Sequence, residues 1–505
     1  MHDRPYSSHK YKNEFYSAYT TLSSLMSSLT EMPLDIDRIF LIGKSAAFTA
    51  PRASFFERLS FSLRRFWHSF TEDYRAAGEN ASGQRPLNIW VSWGRDQAQM
   101  LDALIQSDFV TEENIPVNLR LVNASNIQAI LSGNGPDIML QMSHTEPVNL
   151  AMRGALLNLR QFDDFEEVTR RFTENGTLSF AYRDGTYALP DTQSFHMMFY
   201  RTDIFKELNI EPPDTWDDFY RVINIVQRNN MEIGLNYTLA LDFFLYQNGG
   251  NMWRYIDDPE YQGAQIGLDT DEGLRAFKFC CSLYTDYSFP VSYDAANRFR
   301  TGEMPIVIQD YVSLYNQLVV YATELDGLWS FSHIPGVEQS DGSINYTAIA
   351  NVSSAIITKS AQERAKKTGT DRIAEAWHFV RWCTEADYVS QYSNRMVSIL
   401  GPSAKYAAAN LHAFDDMSWT SAERNAILEQ IQHLDAIVNY PGSYIIARYT
   451  DFAFYAAVND RKDAVEALRS YIGAINAEVT RKREEFGMKT LETGEVPPSY
   501  EHAGN

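Results

Sequence analysis

The pattern of apolar and polar positions after residue 86 alternates between strand-like and helix-like stretches. Apolar runs at LNIWVSW (87–93), VNLRLVN (117–123) and PDIMLQM (136–142) predict three strands. The intervening stretches GRDQAQMLDALIQSDF and SNIQAILSG have helical character, and Ser125 is a suitable N-cap for the second. Strands and helices in this order predict a parallel sheet with helices on its faces.

Helical patterns dominate the middle of the chain, and strands return later. The stretch DTWDDFYRVINIVQRN predicts a helix capped by Thr215, with Asp218 in the capping-box position. Strands are predicted again at MPIVIQ (304–309) and at AIANVSSAIIT (348–358), the latter as a strand pair or a bent strand. Further helices are predicted over 271–287, in two short pieces over 371–395, over 421–435 and over 462–485. This order predicts a second lobe inserted into the first, with hinge crossings and a cleft between the lobes.

The predicted organisation is α/β, with two lobes and an N-terminal accessory helical segment. We expect residues 1–86 to form that segment and a linker (78–86), with helices at YSAYTTLSSLMSSL and 53–76 and a strand at 36–42. An aromatic stripe and the positive charges of Arg58, Arg64 and Arg65 mark the 53–76 helix, for which packing on a neighbouring domain is favoured over membrane binding. Lobe 1 is expected from 87–190 and about 304–358, lobe 2 with C-terminal helices mainly from 191–303 and about 359–490, and a tail from 491–505.

Composition and charge narrow the class of protein. Of the 505 residues, 45% are hydrophobic and 22% charged, as in globular proteins, and the net charge of −21 argues against nucleic-acid binding. Residues 1–77 carry 10 Lys/Arg and 8 Asp/Glu, so the acidic excess lies in the rest of the chain. The three cysteines form neither a disulfide framework nor a zinc pattern. HExxH, GxSxG, Walker and CxxC motifs are absent, so we expect no enzyme, no cofactor and no metal.

The chain contains no apolar run of the ~18 residues that a membrane span needs. Its first residues, MHDRPYSSHKYKNEF, lack the apolar region of a signal peptide. Two expectations remain open from these residues alone. Either the protein is cytosolic, or it is exported and this chain lacks the signal or anchor.

A family resemblance rests on an ordered set of motifs. DGTYALP (184–190) and MMFYRTDIFKELNIEPPDTWDDF (197–219) resemble the sugar-type extracellular solute-binding proteins of ABC importers. Arg201 and Asn209 depart from the usual residues without altering the pattern. The resemblance continues over about residues 86–490, through PDIMLQM, FLYQNGGNMW (244–253), FRTGEMPIVIQDY (299–311), IPGV (334–337) and AWHFVRWCTEADYVSQYSN (376–394).

The resemblance implies a two-lobe, periplasmic-binding-protein-like fold. It implies capture of a carbohydrate, expected to be an oligosaccharide, and its delivery to the permease subunits of an ABC transporter. It also implies a monomer outside the cell or on its surface, lipoprotein-like, with the export signal or anchor absent from this chain. The N-terminal unit is not part of the family pattern.

Candidate ligand-binding residues come from strand ends and from the resemblance. Ligands gather beyond the carboxyl ends of parallel strands, which here carry Trp93, Asn123, Ser143 and His144. Flat aromatic rings and planar polar groups suit sugar rings and their hydroxyl groups. Further candidates near the crossing, near two glycines and after the later strands are Asp191, Gln193, Gln247, Asn248, Trp253, Gln309 and Asp310. The family pattern adds Tyr311 as a stacking ring, with Asn351 and Ser353 in a cleft-lining segment.

Two other functions compete with sugar capture. A glycoside hydrolase needs two carboxylates at a set separation, and no such pair stands out in the sequence. A binding protein for a peptide, a polyamine or another small polar solute would suit the acidic chain. The acidic stretches DIDR (35–38) and LDTDEG (268–273) lack the spacing of an EF-hand, although a structural cation stays an open alternative.

Overall fold

The computed structural model describes residues 60–61, 86–122, 127–369, 371–492 and 494–501. The chain separates into two units, Met1–Ala76 and Ala77–Asn505, and nearly all described residues belong to the second. Apart from Ser60 and Phe61, which are helical, the predicted N-terminal helices and strand lie outside the described residues, as do the linker before residue 86, Asn123 and Ser125.

The strands of the second unit form two main sheets and three short pairs. The first sheet contains β1 (Leu87–Val91), β2 (Val117–Leu121), β3 (Ile138–Ser143), β6 (Leu189–Ser194) and β14 (Asn351–Ile357). The second contains β7 (His196–Arg201), β8 (Ile233–Gly234), β9 (Ile306–Asp310) and β10 (Trp329–Ser332). The short strands are β4 (Ala181–Tyr182), β5 (Gly185–Thr186), β11 (Val337–Glu338), β12 (Ile344–Asn345), β13 (Ala348–Ile349) and β15 (Leu434–Asp435).

The α-helices lie between these strands and after them. Those before residue 330 are α1 (Arg95–Leu104), which continues through a π-helical turn (Ile105–Phe109) into α2 (Val110–Glu113), α3 (Ile127–Leu131), α4 (Glu146–Met152), α5 (Phe165–Thr169), α6 (Thr202–Leu208), α7 (Trp216–Arg228), α8 (Tyr237–Gln247), α9 (Asp271–Thr285), α10 (Ala295–Arg300) and α11 (Tyr311–Tyr321). The later ones are α12 (Lys359–Thr368), α13 (Arg372–Trp382), α14 (Ala386–Leu400), α15 (Ser421–Ile431), α16 (Ile446–Val458), α17 (Ala464–Glu485) and α18 (Pro498–Glu501).

The first sheet confirms the predicted parallel unit. Its strand order is β2-β1-β3-β14-β6, and β1 runs parallel to β2 and β3. Along β1 the burial alternates: Leu87, Ile89 and Val91 are fully buried, whereas Asn88 and Trp90 are half-buried. β14 is antiparallel to both of its neighbours, β3 and β6. This sheet and the helices packed on it form lobe 1.

The second sheet, with order β10-β7-β9-β8, forms lobe 2 together with its helices. The strand predicted at 304–309 was expected in lobe 1, but it is β9 and pairs with β7 in the second sheet. Ile306 and Ile308 on β9 are buried in the apolar cluster that contains the helices of lobe 2. An apolar strand sequence is compatible with either sheet. The pairing with β7 places β9 in the second sheet.

The C-terminal helices divide between the lobes, which corrects the expectation that 359–490 belongs mainly to lobe 2. α13 packs on β1 and β14, and α14 packs on α1, so both cover the first sheet. α16 and α17 pack on each other and on α9 in lobe 2. Each helix buries its apolar face against a sheet. The helical period of the sequence predicts that face but does not predict which sheet it covers.

Several local signals produce the elements that the sequence predicts. The Thr215 hydroxyl accepts a hydrogen bond from the Asp218 backbone N–H (3.2 Å), and α7 begins at Trp216. The stretch 348–358 forms the strand pair β13 and β14. β6 passes directly into β7 through the fully buried Phe195, so the chain crosses between the lobes at this residue.

Candidate functional site

The carboxyl ends of the two sheets meet where β6 passes into β7. In the first sheet, β3 ends at Ser143, β6 ends at Ser194, and β14 begins opposite Ser194 with Asn351. In the second sheet, His196 at the start of β7 pairs with Asp310 at the end of β9. We call this polar junction the crossing edge; it consists of Ser143, His144, Ser194, His196, Asp310, Asn351 and Ser353. Open α/β sheets bind ligands at edges of this kind.

The segments that join the lobes lie side by side at the crossing edge. Ala408 forms a bridge with Thr192, and Asn351 pairs with Ser194. β13 precedes β14 by one residue and runs parallel to β15, with Ala348 opposite Leu434. These segments border the candidate site, and connections between two lobes are where a hinge motion bends the chain.

A buried carboxylate organises the first-sheet side of the edge. Asp191 accepts hydrogen bonds from the backbone N–H groups of Gln141 (2.8 Å) and Thr192 (2.7 Å) and from the Ser353 hydroxyl (2.6 Å). The hydroxyl groups of Thr192 and Ser353 are also hydrogen-bonded to each other. Burial raises the pKa of Asp191, and the donated hydrogen bonds oppose that rise. Asp191 thus ties β3, β6 and β14 together, and Ser353 shares its hydroxyl with that network.

The histidines of the crossing edge are held in the neutral form. Burial lowers the pKa of His196 to about 4, and the neighbouring Asp310 opposes the change. Burial also lowers the pKa of His144, against a hydrogen bond with Asn351 that raises it. Asp310 accepts a hydrogen bond from the Ser194 hydroxyl and caps α11 by accepting from the Ser313 N–H (2.8 Å). Neutral imidazoles both donate and accept, which suits an uncharged ligand rich in hydroxyl groups.

One titratable residue near the edge was missed in the sequence. Asp242 lies within α8, whose other residues carry no charge (YTLALDFFLYQ). It is half-buried, burial raises its pKa to about 7, and it makes no hydrogen bond or ion pair with any residue that the structure describes. The neighbouring Phe243 ring lies 6.2 Å from the His196 ring. A single carboxylate among the apolar residues of a helix is visible in the sequence and could have indicated a candidate residue.

Comparison with known proteins identifies the family. The model of the bacterial extracellular solute-binding protein family matches residues 122–426. The chain belongs to this family. A comparison with curated proteins finds no match.

Solved structures show that this solute-binding protein shares the two-lobe fold. The sugar-binding protein MalE from Xanthomonas citri has 14% identity and a TM-score of 0.65, over 80% of this chain and 100% of that one. A cyclo/maltodextrin-binding protein complexed with maltotetraose has 15% identity and a TM-score of 0.63, over 79% and 98%. The extracellular solute-binding protein from Staphylococcus aureus in complex with maltose has 14% identity and a TM-score of 0.62, over 80% and 99%.

Several predicted residues of this solute-binding protein are accessible near the crossing edge. Ser143 and Asn351 are exposed. Trp93 is half-buried, and its ring stacks on Tyr392 with 5.2 Å between ring centroids and 13° between ring planes. His144, Gln309, Asp310 and Ser353 are also half-buried. These side chains come from strands of both sheets, as a site between two lobes requires.

Four other predicted residues make their contacts inside the protein: Tyr311, Gln193, Gln247 and Trp253. Tyr311 is fully buried because it packs on Phe195 at 4.5 Å between ring centroids, so no face of the ring is open to a ligand. The three others bond within the protein: Gln193 donates to Thr173, Gln247 donates to two backbone carbonyls, and Trp253 donates to the Val438 carbonyl.

Asn248 is exposed at the C-terminal end of α8. β8 runs parallel to β9 and leads into this helix. Its 11 residues span about 16 Å at 1.5 Å per residue, and Asn248 follows the last of them. The Asn248 side chain donates to the Phe244 carbonyl (2.7 Å). Gln247 and Asn248 therefore belong to the far end of the helix.

A large cavity borders the segment 435–440. It has a volume of about 780 Å³ and is lined by residues that include Tyr182, Asp184, Glu260 and Tyr440. The segment 435–440 is tied to lobe 1 by the Asn439 amide, which donates to the His144 carbonyl (3.0 Å). No strand of either main sheet ends in this cavity, so we place the candidate site at the crossing edge, where the strand ends of both lobes meet.

Metal and membrane features are not found in the described ranges. No cluster of three or more His, Cys, Asp or Glu side chains that could hold a metal ion occurs there. The acidic stretch 268–273 serves helix capping, because the Thr270 hydroxyl accepts from the Gly273 N–H (3.2 Å) at the start of α9. Among the same residues, no helix has the length and apolar character to span a bilayer.

Proposed function

We propose that this protein binds a carbohydrate, specifically an oligosaccharide, at the crossing edge and delivers it to an ABC-type permease. The observation that carries the proposal is the meeting of hydrogen-bond donor and acceptor groups from both lobes at one place. Ser143, His144 and Asn351 belong to lobe 1, whereas His196 and Asp310 belong to lobe 2. A ligand that bonds to both sets favours the closed arrangement of the lobes, because binding and closure are then linked.

The chemistry of the edge supports a sugar as ligand. Hydroxyl, amide and neutral imidazole groups can pair with sugar hydroxyls as donors and as acceptors. Trp93 is accessible at the end of β1 and offers an apolar surface to a pyranose ring. Structural neighbours of this protein were solved with maltose, maltotetraose and α-D-tagatose, which supports the same ligand class.

Binding without turnover is proposed because Asp310 of the crossing edge and the neighbouring Asp191 both have structural partners. Asp191 accepts three hydrogen bonds, and Asp310 holds Ser194 and the first turn of α11. A hydrolase would need one carboxyl group free as an acid and a second carboxylate at a defined separation across the bond. The peptide and polyamine alternatives become outcomes of the binding test.

The test is calorimetry and tryptophan fluorescence on the full chain, unfolded and refolded to remove bound ligand. We expect maltose, maltotetraose or tagatose to bind at micromolar concentration, and Asn351→Ala and His144→Ala to weaken binding about tenfold or more, the loss of about 1.4 kcal/mol that one good hydrogen bond supplies. Asn248→Ala, at the far end of α8, is the matched control and should bind as wild type.

Three results would overturn the proposal. The first is the absence of sugar binding at millimolar concentration together with binding of spermidine or a short peptide. The second is the appearance of shorter sugars in mass spectra after incubation with maltotetraose, which indicates a hydrolase. The third is weaker binding in Asn248→Ala but not in the two edge variants, which moves the site away from the crossing edge.

A further inference from the structure

A smaller cavity is lined by residues of both lobes. Its volume is about 150 Å³. Lobe 1 contributes α4 and the residue before it, and lobe 2 contributes the segment 439–444 and the end of α17. α4 packs on β3 of the first sheet, whereas the segment 439–444 leads into α16, which packs on α9 and α17 in lobe 2.

This cavity adjoins the crossing edge. His144 belongs to the crossing edge, and the next two residues, Thr145 and Glu146, line the cavity. Asn439 lines it as well, and its side-chain amide donates to the His144 carbonyl (3.0 Å). Thr145 is exposed, so the cavity is accessible to solvent. A ligand bound at His144 therefore has room to extend from the carboxyl end of β3 into the cavity.

Glu146 brings a carboxylate oxygen without a partner to the cavity. Its Oε2 atom is buried and accepts no hydrogen bond from the residues that the structure describes. Burial also raises the pKa of Glu146, as expected for a carboxyl group withdrawn from water. Nearly all buried polar atoms in native proteins have a hydrogen-bond partner. In a cavity that adjoins a binding site, a ligand can supply the donor that the protein does not.

The other charged groups that line the cavity are engaged within the protein. Lys482 on α17 pairs with Glu485 at 2.7 Å. Nε of Arg153 donates to the amide oxygen of Asn149 (3.1 Å). These two cations add positive charge to the lining, which disfavours a cationic occupant such as a polyamine. An uncharged hydroxyl group is then the donor that suits Glu146.

Tyr444 supplies an aromatic surface from lobe 2. This residue is 62% exposed, and its hydroxyl donates to Glu478 on α17, which holds the ring in place. Flat aromatic rings pack against the C–H face of a pyranose. A cavity of about 150 Å³ admits one six-membered ring such as benzene. The size and the chemistry of the cavity therefore match a single sugar ring.

We propose that this cavity holds a second ring of the bound sugar, with Glu146 accepting a hydroxyl hydrogen bond and Tyr444 packing against the ring. The first ring binds at the crossing edge, so the inference rests on the proposed function and deepens it. The ligand class becomes carbohydrates of two or more linked rings. Glu146 belongs to lobe 1 and Tyr444 to lobe 2, so the second ring contacts both lobes, as the first does. A monosaccharide binds through the crossing edge alone.

The experiment is titration calorimetry of the full, ligand-free chain with glucose, tagatose, maltose and maltotetraose in turn. In wild type we expect maltose and maltotetraose to bind about thirtyfold more tightly than either monosaccharide, because the second ring adds a charge-assisted hydrogen bond and an aromatic contact. Glu146→Ala should weaken maltose binding about tenfold and leave monosaccharide binding unchanged. Ser443→Phe, which fills the cavity from lobe 2, should show the same selective loss.

Two further variants serve as references. His144→Ala changes the crossing edge and should weaken binding of all four sugars alike. Glu112→Ala replaces an exposed carboxylate on α2 and is the matched control for Glu146→Ala. It should bind every sugar as wild type does.

The remaining outcomes separate this inference from the proposed function. Equal affinities for maltose and the monosaccharides in wild type, or binding of tagatose without binding of maltose, refute the second-ring cavity and leave sugar binding intact. Unchanged maltose binding in Glu146→Ala, or an equal loss for monosaccharides and maltose, refutes the role of Glu146. Absence of binding by all four sugars refutes the proposed function and this inference with it. Should Glu146→Ala fail to fold, the same comparison in Ser443→Phe and the wild-type ratio decide.

Discussion

A substitution of Gln247 distinguishes a structural role of this side chain from a ligand-binding role, because the two roles predict different effects on stability and on sugar affinity. Its side-chain oxygen accepts from the Trp216 indole N–H (2.7 Å), and its amide donates to the carbonyls of Pro335 (3.1 Å) and Thr347 (3.2 Å). Gln247→Met keeps the length of the side chain and leaves these three buried groups unpaired. At about 1 to 3 kcal/mol for each unpaired group, we expect the free energy of unfolding to fall by about 3 kcal/mol or more.

Urea denaturation followed by tryptophan fluorescence measures this loss directly. Asn248→Ala, one residue further and exposed, should change the free energy of unfolding by less than about 1 kcal/mol. Below the unfolding transition, Gln247→Met should bind sugar with wild-type affinity, because the side chain lies inside lobe 2. Normal stability combined with lost sugar binding would refute the reasoning, since it would make Gln247 a ligand contact.

Two further substitutions test the buried groups around the crossing. Tyr311→Phe removes a buried hydroxyl without a hydrogen-bond partner among the described residues, so we expect equal or higher stability, by up to about 1 kcal/mol in urea, and unchanged sugar affinity; a clear loss of stability would show a hidden partner. His196→Gln should lessen the acid sensitivity of the fold. The unfolded chain takes up a proton on His196 below pH 6.5 and the folded one below about pH 4, so wild type loses up to about 3 kcal/mol as pH falls through this window. Equal pH profiles of unfolding for both proteins would contradict that assignment.

Local features of the fold could be predicted from the sequence because short-range chemistry decides them. Thr215 caps α7 through contacts within four residues, and the strands β1, β2 and β3 follow apolar runs that have no competing helical period. The carboxyl-end rule placed Ser143 and His144 correctly at the end of β3, because it depends on strand direction alone.

The sheet that β9 joins and the orientation of Tyr311 could not be predicted, because both depend on contacts between residues far apart in the sequence. β9 has the same apolar sequence character as a strand of lobe 1, and its antiparallel partner β7 lies more than 100 positions earlier. Tyr311 follows β9 immediately, but its orientation depends on Phe195 across the crossing. Asp242 escaped notice because nothing in its neighbours along the chain resembles a binding motif. Its isolation becomes visible only when the partners of the other carboxylates are known.

β14 has a consequence for the order in which the protein can form. This strand joins β3 to β6 in the first sheet, yet residues 351–357 are synthesised after all four strands of the second sheet. On a ribosome, β3 and β6 must therefore wait for more than 150 further residues before their common neighbour exists. Such distant partners slow folding. The first sheet is therefore completed only after the last strand of the second sheet has been synthesised.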